Sequence, residues 1–535
     1  MIKYTPASER TLSLFRTPFE QSLDPDNRWV RMAAIVPWDE MAKVFFAHMS
    51  EHHGRASVDL RVVLGALLVK HIEGISDEDT IQYIQENIYA QYFVGLPSFQ
   101  IQPVFSATLF VEIRKRLGKF GADRLNDQVL HQAKSLGAIR HRAKPRKKNK
   151  DKPKGGNPPG DTESSSGERL SIEATKPKNK GTLKLDATVA PQHIGYPTDT
   201  RLLHEARQSA ELLIDELYQA TGHWSNKPRT YRRKAHRQYL AFSKKRRHSK
   251  TAIRRAKKQQ LAYLRRDLKH INRMLDELER AGVACRWKHW HWRRLWVLQE
   301  FYRQQDIMYC DGRRRIDDRI VNIAQPYVRP IKRGKAGKAT EFGAKLNVSE
   351  TEGFAKADRI DFNNFHEGLG LKQQVESYKQ LYGYYPEVVL VDRAYLIREN
   401  RKYLKARDIR HSGLPVGRKA ELSRYEKEKR RKERNQRSHI EGKFGQAKSK
   451  YGLDDIKTRR QDTSYACIGL ILLALNVLKL GKQAFNSLLE YLSATFIVQA
   501  GQNLEFIISQ LSMMANCQAH LAINGDYGRS RPTTF

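Results

Sequence analysis

The sequence predicts a mixed α/β fold preceded by an all-helical N-terminal domain. Three observations lead to this prediction: helical periodicity over residues 58–138, strand-like segments that alternate with helices after residue 181, and a long basic helical stretch that interrupts them. At 535 residues the chain exceeds one ordinary core, so several domains are expected.

The strongest signal in the composition is positive charge. The chain carries 97 Lys and Arg against 58 Asp and Glu, a formal net charge of +39. Repulsion on that scale destabilises a compact state, so a polyanionic partner is expected. Nucleic acid fits best because each neutralised phosphate also releases a counterion, and an anionic membrane surface is the competing partner.

The composition also argues against secretion and against a membrane span. The four cysteines are scattered without a CxxC pair, which is typical of a reducing cytosol. The N-terminus has no apolar signal core. The longest apolar run, Cys467 to Leu478, has 12 residues and includes Asn476. It is shorter than the roughly 20 residues that a bilayer requires, so it predicts a buried helix.

Residues 1–140 are predicted to form a helical domain for DNA recognition or dimerisation. An apolar helix is expected over 58–72, ending near Gly74, and Ser76 is expected to cap the next helix. A further helix after Ser106 carries basic residues beside its apolar face.

Several short helices with a basic final one suit a helix-turn-helix-like DNA reader. In that reading Arg114 and Arg116 are candidate DNA contacts. A helical bundle that serves only dimerisation explains the same pattern, and both readings stay open.

Residues 141–180 are predicted to form a basic flexible linker, because Lys, Pro, Gly and Ser dominate and cannot bury a core. Its basic half could follow phosphates or could be only a solvated tether. Residues 481–535 are expected to form a C-terminal tail with helical segments.

Residues 181–204 and 307–480 are predicted to form one catalytic domain, split by a basic helical insertion at 205–306. Between Lys227 and Arg273 there are 19 Lys or Arg and a single acid. This imbalance favours a DNA-binding arm that gains part of its order from its partner.

Strand signals occur around Asp186 in LKLDATV, over 319–331, over 341–350, and in VVLV at 388–391. A helix is predicted near 371–381, between the last two of these. Strands that alternate with helices predict a mixed sheet.

Two aspartates stand where metal-assisted phosphodiester chemistry needs carboxylates. Asp186 lies mid-strand on the polar face, although Asp is disfavoured in strands. Asp392 follows VVLV, and ligands gather at the carboxyl ends of strands in open α/β sheets. Carboxylates of this kind can hold two Mg²⁺ ions ~4 Å apart, which assist the attacking and leaving oxygens. An ordinary strand aspartate and a turn or capping aspartate are the structural alternatives.

Glu441 is the preferred third carboxylate among several neighbouring glutamates. Arg437, Glu441 and Lys448 lie at i, i+4 and i+11, within about 40° on one helical stripe. The stripe offers a metal-binding carboxylate between two cations suited to DNA phosphates, and a row of helical salt bridges is the alternative. Lys345 on the segment 341–350 is a further candidate phosphate contact.

Two other features have both a structural and a functional reading. Asp199 is expected to cap the helix of Leu202 and Leu203, with support of the site as the alternative. The stretch CRWKHWHWRRLW (285–296) combines four tryptophans with cations. Such side chains can stack an unpaired base, although core packing is the commoner use of Trp.

Five stretches of the chain resemble bacterial insertion-sequence transposases of the Asp-Asp-Glu class. They are HGRASVDLRVVLGALLVKHIEGISDEDTIQYIQENIYAQYFVGL, LKLDATVAPQHIGYPTDTRLL, RPIKRGKAGKATEFGAKL, VVLVDRAYLIRENRKYL and RSHIEGKFGQAKSKYGL. In that family the first aspartate matches Asp186, the second matches Asp392 before an aromatic residue, here Tyr395, and the glutamate matches Glu441.

Many relatives carry a Tyr-x2-Arg-x3-Glu-x6-Lys signature. This sequence has Arg437, Glu441 and Lys448 in register, with Arg434 in place of the tyrosine. It also has Ala394 where a glycine is usual after the second aspartate.

The resemblance implies a ribonuclease-H-like catalytic core whose three carboxylates hold two Mg²⁺ ions, with Mn²⁺ able to substitute. It implies cleavage at the terminal inverted repeats of a mobile element, followed by attack of the 3′ hydroxyl on target DNA. Double-stranded DNA and a second copy in a homodimer are the implied partners, without a membrane, at the nucleoid of a bacterial cytoplasm. A nuclease with the same core and a non-catalytic nucleic-acid-binding descendant are the alternatives.

Overall fold

The computed structural model describes residues 6, 23–46, 58–139, 179–332, 340–414 and 423–483. Most of the predicted linker (141–180) and most of the predicted tail (481–535) therefore lie outside the described residues, and these two predictions stay untested.

The described N-terminal part is helical, as predicted. Its helices are α1 (Arg28–Ile35), α2 (Trp38–Phe46), α3 (Leu60–Glu73), α4 (Asp77–Glu86), α5 (Ile88–Val94) and α6 (Thr108–Ser135). Gly74 ends α3 in the left-handed conformation, and the Ser76 hydroxyl accepts a hydrogen bond from the Asp79 N–H at the start of α4. The predicted end of the first helix and the predicted cap of the next are both confirmed.

The part of the chain that was predicted to be the catalytic domain contains a six-stranded mixed sheet. Its strands are β1 (Thr182–Pro191), β2 (Arg329–Lys332), β3 (Thr340–Thr351), β4 (Phe354–Asp361), β5 (Val388–Leu390) and β6 (Arg410–His411). Their order is β2-β3-β1-β5-β6, and β4 pairs with β3. β3 is antiparallel to its neighbours, whereas β1, β5 and β6 run parallel. The mixed α/β prediction is confirmed.

The prediction of a strand over 319–331 is largely wrong, because β2 begins only at Arg329. The Asn322 side chain accepts a hydrogen bond from the Gln325 N–H at 2.9 Å, which closes a turn. Pro326 follows and has no N–H to contribute to a ladder.

The β4 strand is not indicated by the sequence pattern. Phe354 and Ala355 are adjacent and both buried, which breaks the alternation expected of a strand. The pairing of β4 with β3 also shifts register between Asn347 and Val348, as at a β-bulge.

Between β1 and β2 lies a helical unit with a core of its own. It consists of α7 (Asp199–Thr221), α8 (Arg232–Ser243), α9 (Lys250–Arg280) and α10 (His289–Cys310). Leu203, Ile214, Leu264, Ile271 and Phe301 are fully buried in that core. In α8 only Ala235 is buried, so most of this helix is open to solvent.

The capping role predicted for Asp199 belongs to its neighbour Thr198. The Thr198 hydroxyl accepts the hydrogen bond from the Arg201 N–H, because Thr198 has extended backbone and Asp199 is already helical. The Asp199 carboxylate instead forms ion pairs with Lys257 and Arg319, which tie α7 to α9 and to the chain beyond α10.

After β4 the chain forms α11 (Leu371–Tyr382), α12 (Arg398–Ala406) and α13 (Arg424–Tyr451). A last described helix, α14 (Gln461–Gln483), contains the apolar run Cys467 to Leu478. Within the described chain α14 is long and apolar enough to cross a membrane, but 72% of its most apolar window is buried inside the protein. Such burial is typical of a core helix.

Asn476 is the polar centre of this buried helix. Its amide accepts from the Ala355 N–H at 2.9 Å and donates to the Ala355 carbonyl at 2.7 Å. It also donates to the Asn126 side chain on α6 at 2.7 Å, and Asn126 in turn donates to the Ala355 carbonyl. One buried side chain thus joins α14, β4 and α6.

We expect Asn476→Leu to lower the free energy of unfolding by about 3 kcal/mol, because the buried N–H and C=O of Ala355 lose a partner. Urea denaturation followed by circular dichroism measures the change. Asn435→Leu, at an exposed position of α13, is the control. Equal midpoints for the two variants would show that the buried amide contributes nothing.

Candidate active site

The pairing of β1 with β5 brings two of the predicted carboxylates to neighbouring positions. Lys184 on β1 is paired with Leu390 on β5, and the strands are parallel. Two residues further along each strand stand Asp186 and Asp392. Because adjacent strands are ~4.8 Å apart, the two side chains lie at one edge of the same cleft.

Asp392 lies just past the end of β5, where the backbone turns into a short 3₁₀ helix (Arg393–Tyr395). Its carboxylate accepts a hydrogen bond from the Arg393 N–H at 2.6 Å. The capping role that the sequence left open for Asp392 is therefore present, while its side chain still lines the cleft.

The third carboxylate comes from α13, which packs against β1 and β5. Glu441 is 52% exposed at this face of the helix. Arg437, one turn earlier, lies between two carboxylates: its guanidinium is 3.1 Å from Glu441 Oε1 and 3.9 Å from Asp186 Oδ2. The salt bridge that the helical spacing also allowed is therefore present, and the Arg437 guanidinium approaches Asp186 on β1 as well.

These groups line one cleft of about 440 Å³. Asp186, Asp392 and Glu441 all border it, as do the cations Arg437 and Lys448. Asp392 lies 206 residues after Asp186 in the sequence, and Glu441 lies 49 residues after Asp392. These three carboxylates therefore share one cavity with two cations from α13.

Burial of the Asp186 carboxyl raises its pKa to about 6. The Ala187 N–H and the Arg437 guanidinium lower this pKa, whereas the negative charges of Glu441 and Glu367 raise it. Burial is therefore the main reason that the Asp186 carboxyl holds its proton more tightly than a free aspartate.

The oxygen donors fit a divalent ion such as Mg²⁺ in chemical type, since hard cations prefer carboxylates on rigid elements. Within the described ranges no three His, Cys, Asp or Glu side chains converge closely enough to hold an ion. The Arg437 guanidinium occupies the space between Asp186 and Glu441 instead. A ligand shared by Asp186 and Glu441 therefore requires the Arg437 guanidinium to move away from them.

Glu367 is a cleft residue that the sequence analysis did not find. It begins a 3₁₀ helix (Glu367–Gly370) after β4, borders the cleft, and forms an ion pair with Lys345 at 3.1 Å. An acid that closely follows a strand can be predicted as a site residue from the sequence. Because β4 itself was not predicted, this signal was not available for Glu367.

The other predicted DNA contacts differ in how accessible they are. Lys345 borders the cleft, but its ammonium also donates to the Phe365 carbonyl at 2.8 Å, and its side chain is only 12% exposed. Arg114 is buried and forms a two-pronged ion pair with Asp77, at 2.9 and 2.5 Å. This burial does not fit contact with DNA. Arg116 is exposed on α6.

A buried hydrogen-bond network holds the loops that carry Asp392 and Glu367. The Tyr395 hydroxyl donates to the Asn347 side chain on β3 at 2.8 Å, and Asn347 donates to the Glu367 carbonyl at 3.1 Å. Asn400 donates to the carbonyls of Gly368 and Tyr395, at 2.6 and 2.7 Å. Both loops are thus fixed to the sheet and to each other.

Two comparisons with protein families bear on what this arrangement does. Residues 17–116 match the family described as "Transposase domain (DUF772)", and residues 389–479 match the family described as "Transposase DDE domain". Together they indicate an insertion-sequence DDE transposase. The recognition made from the sequence motifs is confirmed, and the second match includes Asp392 and Glu441.

The chain is also similar to a curated protein from Rhizobium meliloti, "Uncharacterized protein ORF8 in nfe locus". The two are 26% identical over 195 residues, which cover 36% of this chain and 76% of the relative. No solved structure matches the chain. DDE transposases generally use divalent metal ions, in keeping with the carboxylates of the cleft.

We expect Asp186→Asn to stabilise the metal-free transposase. The pKa of Asp186 rises on folding from about 3.9 to about 6, so ionising it costs stability. That cost grows between pH 4 and pH 6, stays constant above pH 6, and is at most about 3 kcal/mol. Thermal unfolding in chelator should show a gain in Tm for the variant that grows over this pH range.

The control for this prediction is Asp276→Asn at an exposed position of α9. Its Tm should follow that of the wild type at every pH. Parallel curves for wild type and Asp186→Asn would contradict the burial of a costly charge at Asp186.

We expect Tyr395→Phe to cost about 1–3 kcal/mol of stability, because the buried Asn347 oxygen loses its donor. The loops of Asp392 and Glu367 should loosen with it, so DNA cleavage should fall more than DNA binding. Urea denaturation and a cleavage assay measure the two effects. Tyr425→Phe, at a 73% exposed position, should change neither.

Proposed function

We propose that the transposase cuts DNA at the terminal inverted repeats of its element and joins the 3′ ends to target DNA. The observation that carries this proposal is the single cleft bordered by Asp186, Asp392 and Glu441. We further propose a ribonuclease-H-like class for the core. The position of Asp186 on β1, with Asp392 after the adjacent parallel strand, supports it.

In this proposal Asp186, Asp392 and Glu441 hold two Mg²⁺ ions, with Mn²⁺ able to substitute. Bound there, the ions would supply Lewis acidity for phosphodiester hydrolysis and transesterification. The chain contributes rigid placement of the carboxylates by β1, by the end of β5 and by α13.

The cations of the cleft orient the DNA backbone in this proposal. Lys448 and Arg437 stand on the same face of α13 as Glu441 and border the cleft. A phosphate that binds Arg437 would draw its guanidinium away from Asp186 and Glu441. DNA binding would then free the carboxylates to bind metal, and metal binding would in turn favour DNA binding, as thermodynamic linkage requires.

The insertion provides a broad basic surface for double-stranded DNA. The sequence has no acidic residue between 228 and 266. From α8 to Lys258 on α9, the exposed cations are Arg233, Lys234, Arg237, Lys244, Lys245, Arg246, Arg247, Lys250, Arg254, Arg255 and Lys258. Such a surface neutralises phosphates without reading sequence.

The proposal includes further partners. The N-terminal helices would recognise the terminal repeats or mediate dimerisation, since two element ends must be joined in one event. A homodimer at the nucleoid of a bacterial cytoplasm follows from this. The exposed Arg116 on α6 remains a candidate DNA contact.

The test is a supercoiled-plasmid assay with a donor that carries the element's ends. We expect Asp186→Asn, Asp392→Asn and Glu441→Gln each to reduce cutting and joining by on the order of 100-fold or more, with DNA binding retained. Asp276→Asn, outside the cleft, is the matched control.

The outcomes separate the alternatives. Joined products from the wild type support transposition, whereas nicking alone would indicate a nuclease. Full activity of Asp186→Asn would contradict the assignment of the cleft.

A further inference from the structure

A second groove lies beside the carboxylate cleft and has no role in the function proposed above. It measures about 750 Å³ and separates the α3–α4 region from the end of α13 and the start of α14. Its floor and walls come from both the helical N-terminal part and the catalytic part. A ligand in it would contact both.

One wall of the groove carries more cations than acids, since Lys450, Lys457, Arg459 and Arg460 border it together with Asp454 and Asp455. Lys450, Lys457 and Arg459 border it and are exposed, and the described residues provide no ion pair for these three. Arg460 also borders the groove, but it is paired with Asp462 at 2.6 Å. Three exposed cations therefore lie within ten residues of the chain at this wall, where each can neutralise a phosphate.

The opposite wall is different in character. Ile75 and Val111 contribute apolar surface, and Asp77 is neutralised by Lys70 at 3.0 Å and by Arg114 at 2.5 Å. The buried Arg114 thus helps to neutralise the negative charge of Asp77, which would otherwise repel a polyanion. Among the described residues Glu78 is the other acid of this wall, and it is exposed.

The groove adjoins the carboxylate cleft. Lys448 on α13 borders both cavities. A DNA strand that passes the carboxylates at this side therefore meets Lys448 at the border of the groove.

We propose that this groove holds a single DNA strand where it leaves the carboxylate cleft. Phosphates would face Lys450, Lys457 and Arg459, and bases would face the apolar wall. The volume is that of a pocket for a small ligand and is too small for a double helix. Single-strand sites commonly combine such a cationic track with apolar surface for bases. This inference rests on the proposed function, which supplies the strand.

The test compares two DNA probes bound by the full chain. One is a blunt duplex, and the other is the same duplex with a short single-stranded 3′ extension. The groove variant combines Lys450→Gln, Lys457→Gln and Arg459→Gln. We expect it to lose at least tenfold in affinity for the extended probe and less than twofold for the blunt duplex.

Salt dependence gives a second readout. For the extended probe, the slope of log K against log salt should fall by about 2, since each lost single-strand phosphate contact removes about 0.7. The control combines Lys379→Gln, Lys402→Gln and Lys405→Gln, exposed on α11 and α12, with the same change of charge. It should leave both probes and both slopes unchanged.

Equal losses on the two probes would contradict a single-strand site, and so would unchanged binding of the extended probe. Either result leaves cutting and joining by the wild type intact, so it would not touch the proposed function. Conversely, Asp186→Asn should bind the extended probe like the wild type, which separates the groove from catalysis.

Discussion

The parallel pairing of β1 with β5 is the constraint on which the candidate site depends. It puts Asp186 and Asp392 at neighbouring positions although 205 residues lie between them in the chain. The same sheet supports α13, and so determines which face of that helix meets the carboxylates. A hydrogen bond from Tyr395 to Asn347 then fixes the turn after β5 to β3. Because these contacts are buried, the backbone turn that carries Asp392 needs little ordering when a ligand arrives.

Local chemistry made several features predictable from the sequence. Gly74 and Ser76 mark the end of one helix and the start of the next, because left-handed backbone and N-terminal N–H groups have strong residue preferences. The strand around Asp186 follows from its alternation of polar and apolar residues. The helical stripe of Arg437 and Glu441 follows from spacing alone. Each of these signals lies within a few residues of the chain.

Features that depend on distant partners were not predictable. Glu367 enters the cleft only because β4 pairs with β3 across a bulge, and the β4 sequence has no clear alternation. In the sequence, Arg114 resembles an exposed cation on a basic helix. Its ion pair with Asp77, 37 residues earlier, instead holds it in the interior. The position of Arg437 between two carboxylates likewise depends on how α13 meets β1. The assignment of the three carboxylates as catalytic stays a prediction.

The buried amide of Asn476 has a mechanical consequence. Because it joins α14 to both β4 and α6, it ties the N-terminal helix α6 to the sheet. If the N-terminal helices bind the end of an element, they and the cleft hold the recognised sequence and the cut at a fixed distance from each other. One added base pair between the recognised sequence and the cut would displace the scissile bond by about 3.4 Å along the helix axis. Such a fixed distance selects the position of the cut without contacts to the bases at the cut.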